Sequence, residues 1–300
     1  MDSASARQNS APLIDDRYVC FVEFSQSPDL LPVAMAYFHT RRLCSKLSNS
    51  LTSSIDVAEP ITVRLIKVPP HLGQTKMKMA GYHEPSIDKA KPTLRIMPLG
   101  GSVTYGSEST DGNGYRKALR ELLVSDDYNV NMVGSRKSDS MEDNEHEGWR
   151  GFRIDQVAKK AKRSVPRFLP NLFTVNVGSN DCIQNFEIET ASKRMSDMLE
   201  YLWTASSHST VVLSTLIPNL DGKVDSRVLR LNEQFGELAK VKAAEGRRIV
   251  LVNMHGPDGP QISDLTDGTH PDDAGYMKMA MIWQRGIHEA IDRGLIQEPQ

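Results

Sequence analysis

Cysteine is scarce in this chain. Cys20, Cys44 and Cys182 are the only three in 300 residues. Their odd number and wide spacing exclude a disulfide framework or a cysteine-built metal cluster as the organising element, and they read as unpaired thiols. Long hydrophobic runs are missing too. The best stretch, "LLPVAMAYF" from Leu30 to Phe38, is about half of the roughly 18 residues a membrane span needs, and it contains Pro32. Charge of one sign is not in excess: 36 Lys and Arg stand against 38 Asp and Glu, a net charge of −2. Neither nucleic acid nor a membrane is therefore expected as a partner. The opening "MDSASARQNSAPLIDDRY" lacks a basic segment followed by an apolar core, so no secretory signal peptide is read and the default expectation is a cytoplasmic protein.

What is present changes character near residue 90. Residues 1–90 show no sustained period and are rich in Ser and Arg up to Ser54. Within them "PITVRLIKVPP" reads as one strand closed by prolines, and "HEPSIDKAKP" reads as a linker. Residues 1–90 are expected to be a poorly ordered segment of unknown role, and 91–300 a single domain. From Thr93 onward, short apolar segments alternate with amphipathic ones. "TLRIMPL", "VNMVG", "LFTVNVG", "TVVLSTL" and "RIVLVNM" read as strands. "YRKALRELLVS", "FRIDQVAKKAKRSV", "IETASKRMSDMLEYLWTA", "SRVLRLNEQFGELAKVKAAEG" and "PDDAGYMKMAMIWQRGIHEAI" read as helices. Strict alternation with continuously apolar strands predicts an α/β fold, a doubly wound five-stranded parallel sheet with helices on both faces. Such sheets bind ligands at the carboxyl ends of their strands, so the loops there are the places to look.

"GGSVTYG" follows the first strand. It cannot be a P-loop, because Ser107 stands where the phosphate-binding Lys belongs. It also fails as a G-x-S-x-G elbow, because Thr104 replaces the last Gly. Ser102 is then either a nucleophile or part of a tight turn. After the last strand, "DLTDGTHPDDAGY" sets Asp267 and His270 three apart, with Gly268 available for a turn. A carboxylate there can fold back on the imidazole and fix its tautomer; alternatively Asp267 caps the last helix. In "GSNDC", Asn180 is either a helix cap or an amide donor to an oxyanion. In "EHEGWRGFRIDQV", Gly151 is taken to begin the helix directly and to offer an N–H without a side chain in the way. Trp149 beside it is a sugar-stacking platform or a loop aromatic packed on the core. No His, Cys, Asp or Glu set has metal-ligand spacing, so no metal is expected.

Each of these residues has an ordinary structural explanation by itself. Their fall on four ligand-side loops of one parallel sheet does not: a hydroxyl, two oxyanion donors and an oriented base are the parts that acyl transfer needs. The blocks "PLGGSVTYG", "EGWRGF", "VGSND" and "DGTHP" resemble those of the SGNH (GDSL-type) hydrolases, over about residues 93–300. The resemblance implies Ser102 as nucleophile, with its own N–H, the Gly151 N–H and the Asn180 amide as the oxyanion hole. His270 would be the base and Asp267 its partner. "IMPLGGSVTYG", "STLIPN" and "DGTHPDDAGYMKMA" look most like the carbohydrate-esterase branch that includes acetylxylan esterases. That branch implies removal of acetyl groups from sugars with no cofactor, and a small-molecule or carbohydrate ester as partner. Gly101 departs from the family pattern, which has Asp before the serine. A lipid esterase or lysophospholipase of the same fold and a catalytically inactive carbohydrate-binding protein are the rival expectations.

Overall fold

The computed structural model describes residues 91–138 and 140–300 in full. It also describes the backbone of three strands before them, β1 (Tyr18–Phe24), β2 (Met35–Phe38) and β3 (Ile61–Lys67). The chain divides into two units, Met1–Ser86 and Ile87–Gln300. In the first unit β1 pairs antiparallel with both β2 and β3, and β3 occupies the span read as a proline-bounded strand. The expectations of poor order over residues 1–90 and of unpaired thiols at Cys20 and Cys44 otherwise lie outside the described residues. Cys182 is free and buried, and burial pushes its thiol up to about 12.

The second unit contains β4 (Leu94–Gly100), α1 (Ser102–Tyr105), α2 (Tyr115–Ser125), β5 (Val130–Met132), β6 (Arg136–Lys137), β7 (Glu145–Gly148) and α3 (Ile154–Phe168). It continues with β8 (Leu172–Asn176), α4 (Ser179–Ile183), α5 (Ala191–Ala205), β9 (Thr210–Ser214), α6 (Gly222–Ala244), β10 (Ile249–Val252) and α7 (Asp273–Asp292). The expected five parallel strands are there, ordered β5-β4-β8-β9-β10. Their side chains alternate between two cores. Met97, Leu99, Phe173, Val175, Val211, Leu213 and Ile249 face α3, α5 and α6, whereas Leu94, Ile96, Leu172, Val212, Val250 and Val252 face α2 and α7. Burial on both faces is why the central strands are largely apolar.

One edge of β4 changes hands along its length. Leu94–Ile96 pair with β5, while Leu99 and Gly100 pair with β7, which in turn pairs antiparallel with β6. Val133 N–H donates to Ile96 O at 2.8 Å and Trp149 N–H donates to Gly100 O at 2.9 Å, so even-numbered residues of β4 point their backbone groups at this edge. Pro98, which has no N–H, falls in the interval between the two partners, where no strand waits for a donor. The handover brings the loop after β7 alongside the end of β4. The expected strand–helix alternation did not include β6 and β7.

Helix boundaries follow their caps. α2 spans the expected residues and buries Tyr115, Leu119 and Leu123 at four-residue intervals. α6 starts four residues earlier than expected, because Asp221 accepts from Lys223 N and Val224 N and caps it there. α3 runs through Pro166 and ends at Leu169 in the left-handed region.

Candidate functional site

The end of β4 is shaped by two glycines. A β-carbon on Gly100 would overlap Asn176 O and Thr104 Oγ1, so only glycine lets the ends of β4 and β8 meet this closely. A β-carbon on Gly101 would lie 3.5 Å from Asn180 Nδ2, which places that amide beside the residue preceding Ser102. α1 begins at Ser102 and stops at Gly106, whose φ of +96° closes it within one turn. As at the first position of any helix, the Ser102 N–H has no intrahelical acceptor, and it has no partner among the described residues.

The segment after β10 folds back on itself. Leu265 bridges Pro271, and Thr266 N–H donates to His270 O at 2.9 Å. Gly268, at φ +80°, supplies the left-handed residue the turn needs. Asp267 Oδ1 accepts from Thr269 N at 2.9 Å and His270 N at 2.8 Å, and Oδ2 lies 2.7 Å from His270 Nδ1. His270 Nε2 lies 2.7 Å from Ser102 Oγ, across 168 residues of sequence. An ionised carboxylate only accepts, so the Nδ1 proton points at Asp267 and the bare Nε2 accepts from the Ser102 hydroxyl. Burial raises the Asp267 carboxyl, but hydrogen bonds from the His270 side chain and the His270 and Thr269 backbone outweigh it and hold the group below its ordinary range. Asp267 is not a helix cap: Asp272 accepts from Gly275 N and caps α7.

Asn180 is not a cap either. It sits inside α4, whose N-cap is Gly178, and its Nδ2 donates to Phe152 O at 3.2 Å. Gly101, Ser102, Phe152 and Asn180 share one small pocket with Val103 and Asn176–Ser179. Gly151 does not begin a helix, because α3 starts at Ile154. It is the third residue of a turn, closed by Phe152 N–H to Trp149 O at 3.2 Å, and its φ of +76° is what that position demands. The Gly151 N–H has no partner among the described residues. The Trp149 ring stacks on Phe152 at 5.5 Å, with Lys160 and Arg136 over it at 4.0 and 4.5 Å, and its Nε1 donates to Glu147 at 2.9 Å. The ring is thus engaged by the protein's own groups.

Two residues that sequence reading passed over organise this region. Asp181, fully buried next to Asn180, accepts from Ile154 N at 3.1 Å and pairs with Arg194. It therefore ties α4 to the start of α3, and so Asn180 to the Trp149–Phe152 turn. Its one signal in the sequence is an acid directly after Asn180. His146, fully buried on β7, accepts from Gly148 N at 2.9 Å through Nδ1 and so donates from Nε2 to Ser138 Oγ at 2.7 Å. Burial and the nearby Arg116 and Arg136 lower it to about 2, so it stays neutral and serves as a brace between β6 and β7. Among the described residues, no three His, Cys, Asp or Glu side chains gather as a metal site.

An imidazole oriented by a carboxylate and hydrogen-bonded to a hydroxyl can take the hydroxyl proton as the oxygen attacks a carbonyl. The chain is also similar to known esterases and acylhydrolases. Residues 96–283 match the family model described as GDSL-like Lipase/Acylhydrolase. A "Multidomain esterase" of Ruminococcus flavefaciens is 27% identical over 232 residues, which are 68% of this chain and 29% of that protein. Among solved structures, a Clostridium thermocellum family 3 carbohydrate esterase is 25% identical, with a TM-score of 0.61 over 68% of this chain and 100% of that one. A carbohydrate esterase family 3 protein from Talaromyces cellulolyticus shares the fold at 20% identity and a TM-score of 0.59, covering 67% of this chain and 99% of that one. With the family model spanning most of the second unit and the Ser102–His270–Asp267 chain lying within it, the protein belongs to the GDSL-like lipase/acylhydrolase family.

Proposed function

We propose that this protein is a serine esterase that removes short acyl groups, foremost acetyl, from a carbohydrate or a similar alcohol. The observation that carries the reading is the Ser102–His270–Asp267 hydrogen-bond chain, 2.7 Å at each side-chain link. Ser102 Oγ attacks the ester carbonyl as its proton passes to His270 Nε2. The charge that develops on the carbonyl oxygen is held by the Ser102 N–H, the Gly151 N–H and the Asn180 amide. Nε2 then returns the proton to the departing alcohol, leaving an acyl-enzyme. Water attacks that ester, again through His270, and releases the acid. Residues 91–300 hold every group the mechanism uses. Kinship with a family 3 carbohydrate esterase supports a sugar as the alcohol. The small pocket shared by Gly101, Ser102 and Asn180 is where the carbonyl oxygen would sit.

The test is a series of esters of one alcohol with acyl chains from acetyl to decanoyl. kcat/KM is expected to be highest for acetyl and to fall by about tenfold or more by octanoyl, since a long chain with no apolar surface to bury against loses conformational freedom and crowds the site without compensation. A rise with chain length would favour a lipid esterase, and no turnover of any member would favour a binding protein.

The mechanism also sets a pH dependence. Only neutral imidazole can take the serine proton, and imidazole changes charge between about pH 5 and 8. A carboxylate held low, as Asp267 is, stabilises the fold above its unfolded-state value and loses that contribution as pH falls through the depressed one. That window lies in acid, so near neutral pH Asp267 is ionised and keeps its hold on His270 Nδ1. kcat/KM is expected to rise with pH along a limb of one proton and then level off. A two-proton limb, or activity that falls across this range, would contradict the assignment.

A further inference from the structure

Among the described residues, Leu220 is the most exposed of the large apolar side chains, at 64%. An exposed leucine alone means little, but this one is fixed against the turn that carries the base. Its N–H donates to Gly268 O at 2.8 Å. Its side chain covers Gly268, where a β-carbon would meet Leu220 Cβ at 2.7 Å and Cδ2 at 3.0 Å. The neighbouring Asn219 reinforces the contact, since its amide donates to Thr269 Oγ1 at 3.0 Å. Asn219 is itself held by Asp225 Oδ1 on its N–H at 2.9 Å, and its own Oδ1 accepts from Asp221 N at 3.0 Å. The loop after β9 and the Asp267–His270 turn are thus clamped together, with one apolar side chain left facing solvent at the join.

The chemistry says which part of an ester comes to that side. The proton taken by His270 Nε2 must return to the alcohol oxygen as the C–O bond breaks, so the alcohol lies toward His270. The carbonyl oxygen lies toward the Ser102 and Asn180 donors. We propose that Leu220 is a specificity-determining residue, an apolar ledge against the Asp267–His270 turn on which the non-reacting face of the alcohol rests. This rests on the serine-esterase reading above. The occupant it fits is an alcohol with a flat or ring-shaped apolar face, such as the C–H face of a pyranose, rather than a small primary alcohol.

The test uses the full chain and two acetates, methyl acetate and cyclohexyl acetate, with methyl butyrate as an acyl control. Leu220→Ala is expected to raise KM for cyclohexyl acetate about tenfold, the scale of losing a partly buried leucine contact. KM for methyl acetate and methyl butyrate should stay within about twofold, as should kcat and the pH profile. Leu220→Gln, which still covers Gly268, should show the same defect, and Leu220→Met should restore most of the loss. Equal effects on all three esters, or a shifted pH profile, would mean that Leu220 only shields the turn and would overturn the proposal. Absence of Ser102-dependent hydrolysis in the wild type would instead overturn the parent reading, and the ledge with it.

Discussion

Ser102→Ala is expected to lower kcat on acetyl esters by roughly 10⁴-fold or more while the protein stays folded. Removal of the attacking atom ends acyl-enzyme formation, and what remains is the rate supported by binding and oxyanion donors alone. The cost to the fold is small, because the hydroxyl makes one side-chain hydrogen bond, to His270 at 2.7 Å. One such bond contributes about 1 kcal/mol, and the Thr104 and Val103 side chains that anchor α1 are untouched. KM should move little, since Oγ contributes to the transition state more than to ground-state binding. Steady-state kinetics and a thermal melt on the same sample separate the two effects. Residual activity within tenfold of wild type would mean that another group attacks the ester.

Asn180→Ala is expected to lower kcat by about 10²–10³, which is roughly 3–4 kcal/mol of transition-state stabilisation. The structure sharpens this expectation, because Asn180 caps no helix and its amide spends one hydrogen bond on Phe152 O at 3.2 Å. Loss of that bond costs about 1 kcal/mol of stability, too little to explain the kinetic defect by unfolding. Asn180→Asp should be at least as slow, because a carboxylate would face both the Phe152 carbonyl and the developing oxyanion. If kcat of the alanine variant stays within about threefold while the melting temperature falls, the amide only holds the Trp149–Phe152 turn in place.

The sequence made some of this legible and hid the rest, for physical reasons. Strands buried on both faces and helices with apolar residues four apart announce themselves by period alone, as Tyr115, Leu119 and Leu123 do. β6 and β7 do not. They are two and four residues long, and "EHEG" carries no apolar alternation. On β7, Glu147 and His146 are buried through hydrogen bonds: Glu147 Oε1 accepts from Ser135 N at 2.6 Å and His146 Nε2 pairs with Ser138 Oγ at 2.7 Å, which a hydrophobic pattern cannot register. Ser102, Asp267 and His270, which the folded chain joins by hydrogen bonds, stand out in the sequence because such a set of side chains on ligand-side loops has few other uses. The seat of Gly151 was not readable, since a glycine before a helix and a glycine in a turn look alike until φ is seen. Asp181 escaped for a related reason: its partners, Ile154 and Arg194, are distant in sequence and meet it only in the folded chain.

Active-site labelling tests the central claim most directly. The full chain is incubated with a serine-directed sulfonyl fluoride or organophosphate, and the adduct is located by peptide mass spectrometry while residual esterase activity is followed. One adduct per chain is expected, on Ser102, with activity lost in proportion to labelling and with no adduct in His270→Ala, where nothing takes the serine proton. Full activity at stoichiometric Ser102 labelling, or inactivation with the adduct on any other residue, would contradict the account.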